Sequence, residues 1–166
     1  MIMTPPPSPV TMPLTIPSMA NVFVKLRRAR DRSKAESLHC SSGDVPQTHP
    51  SLSGESATCR RRVAVVHCDL FTCKGGVDVP KLLRAARMSL LEKAEFLGAN
   101  VLVEESWELT IRIPKDPKHG LYRVRVRYLA AASRSSRPDP QKPVALDKVR
   151  NIPGLMTILE REEVTS

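Results

Sequence analysis

The chain has 166 residues, with 26 lysines and arginines against 17 aspartates and glutamates, for a formal net charge of +9. That length holds one domain of ordinary size, and no stretch approaches the run of about 20 apolar residues that a membrane-spanning helix needs. Cys40, Cys59, Cys68 and Cys73 are too few and too unevenly spaced for a disulfide framework, so the expected setting is a reducing, intracellular one, cytoplasmic by default.

Residues 1–58 contain 8 of the 15 prolines and long runs of Ser and Thr. Little apolar surface is left to offset the entropy of ordering them, and the segment reads as a disordered tail. Pro5, Pro6, Pro7, Pro9, Pro13 and Pro17 interrupt every candidate for a secretory hydrophobic segment. Residues 19–30 are basic and mildly amphipathic, in the manner of a mitochondrial presequence, but composition favours a basic stretch of the tail.

Residues 61–71 carry Val63, Ala64, Val65 and Val66 on both parities, the mark of a strand covered on both faces. Residues 72–77 are a turn around Gly75 and Gly76. Residues 78–97 are a helix: Asp78 caps it, Pro80 is tolerated in its first turn, and Gly98 ends it. Val79, Leu82, Leu83, Ala86, Leu90, Ala94 and Leu97 form its apolar face.

Residues 101–113 alternate, with Val101, Val103, Trp107, Leu109, Ile111 and Ile113 on one parity. Residues 121–130 alternate again, with Tyr122, Val124, Val126 and Tyr128 against Arg123, Arg125 and Arg127. The polar loop 114–120 joins the two as an antiparallel hairpin. The favoured register sets Glu108 opposite Arg125 and Thr110 opposite Arg123, which avoids facing Arg112 with Arg123. Residues 133–143 read as a linker, residues 144–151 as one or two helical turns, and residues 155–159 as a last short strand. The predicted architecture is β-α-β-β plus a C-terminal extension (residues 133–166). It is a small two-layer α+β domain over 59–132, with one helix on one face of a mixed sheet. The strands flanking the helix are its parallel pair, joined by a right-handed crossover. One helix cannot cover the sheet, so the second face awaits the extension, a partner or another copy.

The junction Ala94-Glu-Phe-Leu-Gly-Ala-Asn-Val-Leu-Val103 resembles that of a family of small bacterial α+β proteins, labelled heavy-metal-binding, that form pentamers. The shared element order spans residues 82–130, under a third of the chain. The long N-terminal tail and the proline-rich extension depart from that family. No metal ligand matches residue by residue, so the resemblance implies a homo-oligomer and no chemistry. Residues 135–163 resemble a eukaryotic, fungal group, and that resemblance implies no activity.

Several residues carry groups capable of chemistry. His67, Cys68, Cys73 and Cys59 offer zinc-type ligands without the paired knuckles of a structural site, and adjacent strand residues point to opposite faces. They read as core residues, and no metal or cofactor is assigned. Glu105 falls on the apolar parity, where burial would raise a carboxylate's pKa, with Tyr128 in reach across the strands. A strand end, a bulge or a pore-lining position is the favoured account of it, since no second catalytic group converges there. Lys74-Gly75-Gly76 before a helix reads as a turn, since Asp78 would repel a phosphate.

Residues 59–132 carry six more basic than acidic groups, so most of the positive charge belongs to the folded part. Arg123, Arg125 and Arg127 form one basic row, and Lys81, Arg84 and Arg87 another. No catalytic triad, metalloprotease motif or acidic pair at catalytic spacing is present. The expected function is a non-enzymatic interaction or homo-oligomeric assembly domain, with another copy or an acidic partner. The alternative is a nucleic-acid-binding module using Arg123, Arg125 and Arg127.

Overall fold

A computed structural model describes residues 36–165. The first 35 residues of the expected tail therefore lie outside the described residues. Five strands and one helix follow in order: β1 (Ser37–Ser41), β2 (Val63–Lys74), α1 (Val79–Phe96), β3 (Val101–Arg112), β4 (Tyr122–Ser133) and β5 (Thr157–Glu163). Short 3-10 turns lie at Pro50–Leu52 and Leu146–Lys148. The strands form one sheet in the order β1-β3-β4-β2-β5, with α1 packed against one face. The fold is α+β with two layers. No described helix is long and apolar enough to cross a membrane.

Helix α1 forms as its residues dictate. Asp78 Oδ1 accepts from the Lys81 amide at 3.2 Å, Pro80 lies in the first turn, and Gly98 follows the helix at φ +79. Val79, Leu82, Leu83, Ala86, Leu90 and Ala94 are fully buried, each large aliphatic contributing about 1.5–3 kcal/mol gross. Leu97, expected on that face, is 58% exposed because the helix has already ended.

The pairing departs from the mixed sheet expected. Every neighbouring pair is antiparallel, and β4 lies between β2 and β3. The strands flanking α1 run in the same direction without touching. Antiparallel ladders on both sides of β4 replace the parallel pair, and their bonds are somewhat stronger per residue. β4, not β2, is the central strand. Val63, Ala64 and Val66 in β2 are exposed, because β2 has only the short β5 beyond it.

Between Val103 and Ser106 the β3–β4 register shifts, with Glu104 at φ +50. This bulge exchanges faces. Leu102 joins the core under α1, while Val101 and Val103 turn to the opposite face. Beyond the bulge Glu105, Trp107, Leu109 and Ile111 return to the helix side. The register observed is the one disfavoured on charge, with Arg112 opposite Arg123, Thr110 opposite Arg125 and Glu108 opposite Arg127. Repulsion between exposed side chains costs about 0.2–1 kcal/mol, less than the core contacts of Trp107, opposite Tyr128, contribute.

Two segments expected to be loose are built in. Within residues 36–58, β1 pairs with β3, and Leu52 (2% exposed) packs with Val101, Val103 and Ala131 over one end of the second face. The C-terminal extension covers the helix side instead. Val144 enters the core and its carbonyl accepts from Trp107 Nε1 at 2.8 Å. Val77 and Ile152 exchange both backbone hydrogen bonds at 3.0 Å. The last strand begins at Thr157 and runs to Glu163, later than expected. Where the chain crosses itself only glycine fits: a Cβ on Gly154 (φ +128) would meet the Gly75 carbonyl at 2.1 Å.

Candidate functional site

Strand β4 alternates because its partners do. Tyr122, Val124, Val126 and Tyr128 are buried on the helix side, while Arg123, Arg125 and Arg127 stand exposed on the other face. Directly opposed residues of antiparallel strands share a face, so Arg112, Thr110 and Glu108 of β3 lie beside these arginines. On the other flank lie Thr72, Leu70 and Cys68 of β2. Glu160 and Glu162 of β5 stand opposite Thr72 and Leu70, at the edge.

The middle of this face is a shallow hollow of about 370 Å³ lined by Leu70, Thr110, Arg112, Arg123, Arg125 and Val164. No carboxylate lines it among the described residues. Arg127 lies 4.0 Å from Glu108, both well exposed, a contact of little energetic weight. Arg112, Arg123 and Arg125 form no ion pair among the described residues. Thr110, opposite Arg125, has its Oγ1 2.9 Å from His39 Nδ1. Three guanidiniums thus share one concave patch and lack a counter-ion there.

The second basic row does not exist as such. Lys81 and Arg84 are exposed on α1, on the opposite side of the sheet from Arg123. Arg87 is 1% exposed and turned into the core. Its Nε and Nη2 each donate to Glu105 at 2.8 Å, and Nη1 and Nη2 donate to Asp139 at 2.6 and 3.1 Å. Tyr128 Oη donates to Glu105 Oε2 at 2.6 Å. The contact of Tyr128 with Glu105 is the one expected, reached through the bulge rather than through the favoured register.

These groups satisfy one another. Burial works against the charge on Arg87, but the hydrogen bonds and charges of Glu105 and Asp139 outweigh it and hold its pKa above the usual value. Burial, then the Glu105 charge, pushes the Tyr128 phenol up. Burial also raises Asp139, yet its hydrogen bonds and ion pair with Arg87 hold it below the ordinary carboxylate range. Glu105 is therefore a structural ion-pair partner with no free edge for proton transfer. Asp139 escaped the sequence reading. Its signal is an acidic residue between Pro138 and Pro140, whose Oδ1 accepts from the Gln141 amide at 2.8 Å.

The sulfur and imidazole groups are not assembled either. His67 and Cys73 face the helix side and Cys68 the other face, while Cys59 is exposed. Burial pushes the Cys73 thiol up, as befits a core residue. His67 is 2% exposed, with Nε2 2.9 Å from Asp69 Oδ2 and Nδ1 3.6 Å from Glu163 Oε1. These are ion-pair separations without hydrogen-bond alignment. Among the described residues no three His, Cys, Asp or Glu side chains are grouped to hold a metal ion. The Lys74-Gly75-Gly76 turn is filled by the 154–155 backbone.

Comparison with family models, with curated proteins and with solved structures found no match to this chain. The resemblance of residues 94–103 to the pentameric family therefore stands on those residues alone.

Proposed function

We propose that the chain is a non-enzymatic interaction domain that docks an acidic protein partner on the open face of its sheet. Arg112, Arg123 and Arg125 are the charged centre of that surface. The observation that carries this reading is their convergence on one hollow with no carboxylate in its lining. Exposed guanidiniums held together by a rigid ladder raise the local potential and steer an anionic partner. The buried polar groups around Arg87 are matched among themselves, whereas Arg123 and Arg125 are exposed.

Single-stranded nucleic acid is the competing ligand, with Arg123, Arg125 and Arg127 on its phosphates. Such surfaces add aromatic side chains for base stacking. Here Phe71, Trp107, Tyr122 and Tyr128 are all buried on the opposite side of the sheet, which favours the protein partner.

The test is fluorescence anisotropy of a labelled short peptide with one central acidic cluster and the full chain, at low and high salt. Binding that weakens as salt rises and drops at least tenfold in the Arg123→Glu/Arg125→Glu chain is expected. Binding indifferent to that substitution would remove the open face from the function.

A further inference from the structure

Resting on that reading, we infer that the group recognised in the hollow is a phosphate monoester carried by the acidic partner. The guanidiniums of Arg112, Arg123 and Arg125 and the hydroxyl of Thr110 hold it.

The first reason is the charge geometry. Arg112 and Arg123 are directly opposed across β3 and β4, so their Cβ atoms are about 4.5–5.5 Å apart. Arg125 is two residues along the same strand, about 6.8 Å from Arg123. Three long, forked cations rooted on so small a triangle exceed what one carboxylate can match. A phosphate monoester brings a charge of about −1.5 to −2 and three terminal oxygens. Each guanidinium fork can engage two of those oxygens, geometry that a lysine ammonium does not provide.

The second reason is the boundary of the patch. Glu108 lies one row away beside Arg127, and Glu160 and Glu162 line the β5 side of the same face. A polyanion running along the sheet would meet these carboxylates on either side of the arginines. A single compact dianion would not. The hollow, about 370 Å³, is of a size for such a group and the side chain that bears it. Leu70 and Val164 supply apolar lining that displaces water from the site and strengthens each charged contact.

The third reason is the register. The chain holds a like-charge pair that a shift of the hairpin would have separated. An anion seated between Arg112 and Arg123 turns that repulsion into a binding contribution.

The experiment uses the full chain and three fluorescein-labelled acidic peptides that differ at one central position, serine, phosphoserine or glutamate. The phosphoserine peptide is expected to bind at least tenfold more tightly than the glutamate peptide. Arg112→Gln and Arg123→Gln are each expected to erase that preference while the far-ultraviolet circular dichroism and the melting temperature stay as in the parent. Arg112→Lys, which keeps the charge and loses the fork, is expected to lose most of it. Inorganic phosphate should displace the phosphoserine peptide. Equal binding of the three peptides overturns the phosphate assignment and leaves acidic docking intact. No binding of any peptide overturns both. Glycerol phosphate binding as tightly as the phosphopeptide overturns the partner as the source of the phosphate. A single-stranded oligonucleotide that outcompetes the phosphopeptide overturns the compact-anion argument.

Discussion

At Arg87 one side chain ties together three segments remote in sequence. They are helix α1, the bulge of β3 through Glu105, and the segment after β4 through Asp139. Removing one member of a buried ionic network strands the others. Asp139 also accepts from the Leu102 amide at 3.1 Å, so Asp139→Asn is expected to destabilise the domain by about 1–3 kcal/mol near neutral pH. The folded-state pKa of Asp139 is depressed. Its contribution is therefore present above the unfolded value of about 3.9 and fades as pH falls through the lower folded value. The gap between Asp139→Asn and the parent in urea unfolding should close on acidification; a constant gap would refute the ion-pair account. Arg87 was legible in principle. It falls on the helix stripe of Leu83, Leu90 and Ala94 at spacings of four and three residues. A cation there requires a buried acid, and Glu105 on the apolar parity was one. Residue type alone makes Arg87 a surface base, whereas its position on the stripe makes it a core residue.

At the scale of elements, periodicity located α1, β3 and β4 nearly to their ends, and the Asp78 cap and Gly98 stop are where the residue types place them. The bulge at Glu104 is one of the readings open at Glu105, but alternation does not single it out, because Val101, Leu102 and Val103 before it are apolar on both parities. The pairing order was equally hidden, since it is decided by contacts between distant strands. The hairpin register was misjudged by giving exposed charges more weight than Trp107 and Tyr128. Arg123, Arg125 and Arg127 are exposed on one face as their alternation implies, but the third arginine of the hollow, Arg112, enters only through the register observed. The glycines at positive φ separate two kinds of constraint. Gly98→Ala meets nothing within 4 Å and should cost about 1–2 kcal/mol for backbone strain alone. Gly154→Ala adds a clash with the Gly75 carbonyl and is expected to cost clearly more. Urea midpoints of the two variants decide this, and equal losses would show that the crossing at Gly154 is not tightly packed.

For the whole molecule, the domain begins earlier than composition suggests. Leu52 closes one end of the open face and Leu38 and Cys40 of β1 pack against the main core, although both lie among prolines and serines. Their few apolar residues are spent on specific seats, which an average over the segment conceals. A chain starting at residue 59 is expected to melt at a lower temperature than one starting at residue 36. Equal melting would show that the segment contributes no stability. The same topology governs the order in which the protein can be made. β1 pairs with β3, and β2 pairs only with β4 and β5. Neither strand before the helix, β1 or β2, has a neighbour made before the helix. The apolar run from Val63 to Phe71 thus leaves the ribosome with nothing to pair with, and stays so until β4 has been synthesised. Apart from the β3–β4 hairpin, the strand pairings close long loops, which slows folding. A nascent chain halted before Tyr122 holds β1 and β3, a helix and a β2 without a partner, and β4, the last to arrive of the three central strands, is the piece that zips the sheet from its middle.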